Sequence, residues 1–291
     1  MAKEFNITGN CFRKEHYMAD VSHKLVEVKE MIEKGKYFII NRPRQYGKTT
    51  TLFTLTDMLN ESGEYLALNI SFEGIGDIIP SHEEMFCETF VELLADETPE
   101  LKSWLMELAP QTRSLKQLSD VITLLSEKTP KKTVVLIDEV DKSSNNQLFI
   151  NFLAMLRNKY LSRSKKKTFH AIVLAGVHDV KSLKSKIRPN EEEQFNSPWN
   201  IAAEFKVDMN LQPFEIKPML DDYVAERGVK MDTAAMAEDL FYYTSGYPFL
   251  VSKLCKIMDE DVLPTKDVQE WTEQDLEWTV KQLVLEKNTN F

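Results

Sequence analysis

Arg42-Pro43-Arg44-Gln45-Tyr46-Gly47-Lys48-Thr49-Thr50 places a glycine, a lysine and two hydroxyl residues in direct succession. Those types suit a phosphate chain. Backbone N–H groups of a tight loop and of a helix N-terminus point at phosphate oxygens, and the helix dipole favours negative charge there. Lys48 is positioned to neutralise the outer phosphates and the Thr49 hydroxyl to ligate Mg²⁺. Gln45, Tyr46, Gly47 and Thr50 complete the cradle, and Arg44, inside the loop, either contacts a phosphate or faces solvent. The position five residues before Gly47, a glycine in most loops of this kind, is Arg42. A side chain there requires a negative φ, and Pro43 stiffens the entry.

A second constellation is Thr133-Val134-Val135-Leu136-Ile137-Asp138-Glu139. An apolar run suits a central parallel strand buried on both faces, and acids at its C-terminal end fall on the rim where open α/β sheets bind ligands. Asp138 is the expected Mg²⁺ ligand, and Glu139 the group that orients and deprotonates a water. The other reading of the run is a strand followed by a solvated acidic turn. Gly47-Lys48-Thr49 upstream favours the first.

The elements that must position these residues follow from periodicity. Strands are expected at Tyr37–Asn41, Tyr65–Phe72, Thr133–Asp138, Phe169–Ala175 and Phe205–Met209. Helices are expected at 23–34, 50–60, 81–95, 101–108, 114–127 and 147–160. The alternation implies a parallel sheet with helices on both faces. Beyond Met209 only helices follow, from Pro218, Thr233, Tyr247 and Thr272. The boundary therefore falls near 210–216, giving a core over 1–212 and a helical region over 213–291. Glu286–Phe291 shows no structural finish, as in a chain cut from a longer one.

With these motifs placed, the chain resembles the AAA-like ATPases of the additional-strand P-loop class, near the archaeal-ATPase and STAND branch. Residues 41–50 resemble the RPRxxGKT/S form of the Walker A loop, and Leu136–Glu139 the Walker B strand. Ser245-Gly246-Tyr247-Pro248-Phe249-Leu250 resembles the GxP motif of STAND lids. His16-Tyr17-Met18-Ala19-Asp20 resembles the segment ahead of the loop in such proteins. The resemblance implies a three-layer α/β/α P-loop NTPase with sheet order 5-1-4-3-2 and a helical lid. It also implies ATP and Mg²⁺ as ligands, with Lys48 and Glu139 catalytic and Thr49 and Asp138 on the metal. ATP rather than GTP rests on the resemblance, and no Asn-Lys-x-Asp guanine motif occurs.

Other implied roles have plainer alternatives. Pro248 is placed near adenine or ribose; equally, Gly246-Tyr247-Pro248 is a helix stop and restart. Tyr17 and Met18 form an adenine wall or ordinary packing. His178 senses the γ-phosphate or sits in a surface turn. Arg157 and Arg163 lie where ring-forming relatives project an arginine into a neighbour's site, whereas STAND relatives commonly lack that finger, and the residues do not decide between the two. The basic stretch 163–188 offers weak, salt-sensitive nucleic-acid contact, or pairs with the acidic run Asp259 to Glu277.

Composition limits the remaining classes. The 291 residues carry net charge −10 with 43% hydrophobic and 28% charged content, which argues against a dedicated nucleic-acid binder. Three scattered cysteines without a CxxC pair suggest neither a zinc site nor a disulfide framework, and fit a reducing cytoplasm. No stretch is long and apolar enough for a membrane span or a signal peptide. The expected activity is Mg·ATP hydrolysis driving a lid or partner rearrangement. The alternative is a non-hydrolysing nucleotide-bound scaffold acting through a homo-oligomer, a protein effector or a missing C-terminal domain.

Overall fold

The computed structural model describes residues 2–72, 82–140, 147–176 and 202–285. The elements are α1 (Ser22–Glu33), β1 (Tyr37–Asn41), α2 (Lys48–Glu61), β2 (Tyr65–Ser71), α3 (Glu83–Asp96), α4 (Lys102–Leu108), α5 (Leu115–Lys128), β3 (Lys132–Asp138), α6 (Gln147–Leu161) and β4 (Ala171–Gly176). Four further helices are α7 (Pro213–Arg227), α8 (Thr233–Thr244), α9 (Pro248–Ile257) and α10 (Glu273–Leu285). The chain packs into two compact units. One comprises Val26–Arg44 and Thr51–Val207; the other comprises Met1–Leu25, Gln45–Thr50 and Asp208–Phe291.

The first unit holds a four-stranded parallel sheet in the order β1-β4-β3-β2. Its strands are apolar on both faces, as a two-sided sheet demands. Val135 and Ile137 of β3 and Ile172 and Leu174 of β4 join a core with Phe86, Phe90, Phe149 and Phe152 from α3 and α6. The alternate residues Val134, Leu136, Ala171 and Val173 are just as buried. Phe72 meets Phe149 and Phe152 edge-on at 5.5 and 6.2 Å, the geometry that aromatic quadrupoles prefer.

The expected strand at Phe205–Met209 does not form. The fifth position beside β1 is held by a single parallel bridge between Phe38 and Ala203, whose N–H donates to the Tyr37 carbonyl at 2.7 Å. Side chains then replace a ladder. Phe205 stacks on Phe38, with centroids 6.0 Å apart and planes 3° apart, and the Arg42 guanidinium donates to the Val207 carbonyl at 2.9 Å.

The second unit is helical around Phe5, Tyr17, Tyr223 and Trp271. α7 begins at Pro213 rather than at Pro218, which lies inside it. Pro213 takes the first helical position, where a missing N–H costs nothing, and Glu215 accepts from the Gln212 N–H at 2.5 Å. Glu215 is fully buried and pairs with Lys24 Nζ at 2.7 Å. Three acids of the run from Asp259 to Glu277 pair within this unit, Asp259 with Arg227, Asp275 with Lys266 and Glu260 with Lys256; most of the basic stretch expected to meet that run lies outside the described residues. Among the described residues no helix is long and apolar enough to cross a membrane.

Candidate functional site

In the sheet unit, β3 delivers Asp138 to the C-terminal edge. The residue is 2% exposed. Oδ1 accepts from the Glu139 N–H at 2.8 Å, whereas the buried Oδ2 has no hydrogen-bond partner among the described residues. An orphaned buried carboxylate oxygen is costly unless something polar meets it. A hard cation held by one carboxylate, with its other positions left to water or phosphate, is such a partner. The residues present therefore fit Mg²⁺, and no all-protein cage of three or more His, Cys, Asp or Glu side chains exists among the described residues.

Glu139 has φ 55°, in the left-handed region. The chain turns sharply there, and the Val140 N–H returns to donate to the Ala175 carbonyl at 3.1 Å. The backbone thus swings Glu139 out of the strand, and its side chain is half-buried.

Arg42 is absent from the positive-φ residues, so the side chain at the usual glycine position fits the turn. It contributes structurally as well. Besides Val207 it donates to its neighbour's carbonyl, Asn41 O, at 2.7 Å and lies 5.4 Å over the Phe205 ring. Its N–H also donates to the Gly176 carbonyl at 3.3 Å, extending the β1–β4 ladder by one step.

The loop residues Gln45–Thr50 belong to the helical unit. Gln45 and Gly47 adopt φ of 61° and 69°, which tightens the turn so that α2 starts at Lys48. Lys48 is 6% exposed; Thr49 and Thr50 are half-buried and Arg44 is exposed. The Thr50 hydroxyl accepts from the Cys11 N–H at 3.3 Å. Tyr46 packs on Tyr247, with centroids 4.8 Å apart, and the Tyr247 hydroxyl donates to Gln45 Oε1 at 3.4 Å. The loop and the Gly246-Tyr247-Pro248 turn are therefore in direct contact, a pairing that no periodicity in the sequence announces.

That turn is a helix stop and restart. Ser245 and Gly246 are left-handed, and Pro248 opens α9. Gly246 is also required sterically: a Cβ there would lie 2.1 Å from the Leu211 carbonyl oxygen, and Leu211 N–H donates to Gly246 O at 2.7 Å. Pro248 is half-buried. Tyr17 is 3% exposed and packs between Phe5 and Tyr223 at 4.8 and 5.2 Å, so its ring is part of the helical core; the adjoining Met18 is half-buried. Burial and the nearby Glu226 push the Tyr17 phenol well above its usual value. His178 lies outside the described residues, as does the basic stretch beyond Gly176. Arg157 raises its charge beside Tyr37, the first residue of β1, and Arg163 lies near the start of β4. Both thus sit toward the N-terminal edge of the sheet, opposite Asp138.

A family profile described as "AAA-like domain" matches residues 12–275. Among solved structures, the chain is similar to a Walker-type ATPase of Pyrococcus abyssi, with TM-score 0.64 and 14% identity over 96% of this chain and 75% of that one. It is also similar to the Aeropyrum pernix ORC2 protein in its ADP form (TM-score 0.55, 11% identity, 90% and 67% covered). A third is Cdc6p of Pyrobaculum aerophilum (0.55, 14%, 96% and 70%). At identities this low the likeness shows the fold alone. No curated protein sequence matches. The profile spans nearly the whole described chain, and with the parallel sheet and the loop after β1 it establishes that this chain belongs to the AAA-like domain family, with the P-loop ATPase fold.

Proposed function

We propose that the chain binds Mg·ATP and hydrolyses its terminal phosphoanhydride. The observation that carries this reading is the buried, unpartnered Oδ2 of Asp138 at the strand end that precedes Glu139. Thr49 and Asp138 would hold Mg²⁺, which when bound neutralises phosphate charge. Lys48 binds the outer phosphates and stabilises the charge that grows on them. Glu139 orients a water and accepts its proton as the water oxygen bonds to phosphorus and the bond to the ADP oxygen breaks. Gln45, Tyr46, Gly47 and Thr50 supply the loop, with Arg44 at its rim. Met18 and Pro248 flank the base, Tyr17 backs them, and His178 senses the γ-phosphate. The solved ADP form of the ORC2 protein supports an adenine nucleotide as ligand.

Residues 213–291 serve as the lid in this reading, and the Tyr46–Tyr247 contact is how lid position responds to what the loop holds. The same contact favours a second reading, a nucleotide-bound scaffold that signals to a homo-oligomeric or effector partner without turnover. Three free cysteines suit a cytoplasmic setting. The test is steady-state phosphate release beside direct nucleotide binding. Turnover abolished in Glu139→Gln with binding retained supports hydrolysis. Binding without turnover in the unaltered chain selects the scaffold, and neither binding nor turnover rejects both.

A further inference from the structure

The opposite edge of the sheet carries a feature that the nucleotide reading does not use. A cleft of about 380 Å³ opens where β3 and β4 begin, lined chiefly by Lys131, Lys132, Thr133, Arg163, Lys167 and Thr168. It lies the length of β3 away from Asp138, about 20 Å at strand spacing.

Four cations converge there in a chain whose net charge is −10. None of them forms an ion pair with a described residue. Arg163 is stacked on Tyr160, its guanidinium carbon 3.8 Å from the ring centroid, and gives one N–H to the Tyr160 carbonyl. Lys167 gives one N–H to the Thr129 carbonyl. Lys132 lies 5.4 Å over Tyr65, with Glu33 and Glu64 around that ring. Arg163, Lys167 and Lys132 are thus held in place with donors to spare.

The floor adds hydroxyls. Thr133 is 3% exposed, and Thr133 and Thr168 both have buried Oγ1 atoms without a hydrogen-bond partner among the described residues. A χ1 rotation turns such a hydroxyl toward a group seated above it. The His170 N–H is already bonded to the Thr133 carbonyl at 2.6 Å, so the floor is fixed by backbone.

We infer that this cleft is a second anion site that takes a phosphate group. A planar guanidinium, ammonium groups and hydroxyls around one concavity match phosphate oxygens better than a lone carboxylate. Phe169 beneath it is fully buried, and the His170 imidazole at its wall is tied to the Glu33 carbonyl and set against Tyr65 rather than left free to stack on a base. Recognition is therefore of phosphate itself, on a small phosphorylated molecule or on a polynucleotide backbone.

The test titrates the full chain with inorganic pyrophosphate by calorimetry and with a short labelled DNA duplex by anisotropy. Arg163→Ala/Lys167→Ala is expected to weaken binding at least about tenfold, since each charged hydrogen bond alone is worth that much. Lys131→Glu, at an exposed strand entry, should act in the same direction should loss of the Arg163 stack disturb folding. The same weakening should be seen in a Lys48→Ala background, which removes the nucleotide loop's own hold on phosphate, and Lys165→Ala/Lys166→Ala, outside the cleft, should change the binding by less than about threefold. Loss confined to pyrophosphate assigns a small ligand; loss of duplex binding assigns a polynucleotide backbone. Binding of neither probe overturns the site. So does binding that only Lys48→Ala removes, or that the Lys165/Lys166 pair removes equally.

Discussion

At the scale of single residues, Asp138 and Glu139 are adjacent in sequence and opposite in circumstance. Asp138 is walled in with one oxygen unmet; Glu139 is turned out by a left-handed backbone. Different losses follow. On the proposed mechanism, Glu139→Gln keeps the shape and removes the proton acceptor, so turnover should fall about 10²–10⁴-fold with ATP affinity nearly unchanged. Asp138→Asn should instead raise the Mg²⁺ concentration needed for tight nucleotide binding, read by titrating the metal at fixed ATP. Glu215, fully buried against Lys24, is structural. Glu215→Ala leaves a buried ammonium unmatched and should cost about 3–5 kcal/mol, measured by urea unfolding. The placement of Asp138, Glu139, Lys48 and Thr49 on the fold was legible in the sequence, because they end a strand, follow it or open a helix at fixed spacing. Arg42 was legible only as a departure. Its bonds to Val207 and its contact with Phe205 depend on a segment more than 160 residues away, which local spacing does not encode.

At the scale of elements, the four strands that form were readable to within two residues, because a sheet buried on both faces needs unbroken apolar runs. The segment at 205–209 is no unbroken apolar run, since Lys206 and Asp208 interrupt it, and it packs beside β1 through Phe205 and Arg42 instead of a ladder. Pro218 misled the placement of α7 because proline marks a helix start only on average; a second proline, Pro213, held that position. The turn between α8 and α9 tests coupling to the loop. Gly246→Ala forces a Cβ onto the Leu211 carbonyl and should destabilise the helical unit outright. Tyr247→Ala leaves the turn but removes the contact with Tyr46, so it should alter nucleotide affinity more than stability, a split visible by comparing melting with binding. Cys11 reports on the same region, since its N–H bonds Thr50 and it is the one half-buried thiol beside two buried ones. Its alkylation should slow when Mg·ATP is added, whereas Cys87 and Cys255 stay unreactive in the folded chain.

At the scale of the whole molecule, buried titratable groups set the alkaline limit. Burial pushes the Cys87 thiol up to about 12 and raises Cys255, Tyr37 and Tyr223 further. The folded chain keeps protons that the unfolded chain sheds. The contribution of Cys87 is therefore complete below its usual value of 9.0 and is lost as pH climbs toward 12. Lys159 opposes this: burial holds it down to about 8, so from there to 10.5 it favours folding as pH rises. One lysine against two thiols and three phenols, Tyr17 among them, leaves a net loss above pH 9. Urea midpoints measured at pH 8 and pH 10 should fall, and the fall should be smaller in Cys87→Ala.

The left-handed residue after Asp138 also bears on how this chain would drift under selection. Any side chain at 139 carries a conformational cost of about 1–2 kcal/mol that glycine escapes. Glu139→Gly should accordingly unfold at higher urea than Glu139→Ala while neither turns over ATP. A library screened for heat resistance alone would collect glycine at this position and go silent, so retention of an acid at 139 in a thermally selected pool would itself report that catalysis was under selection.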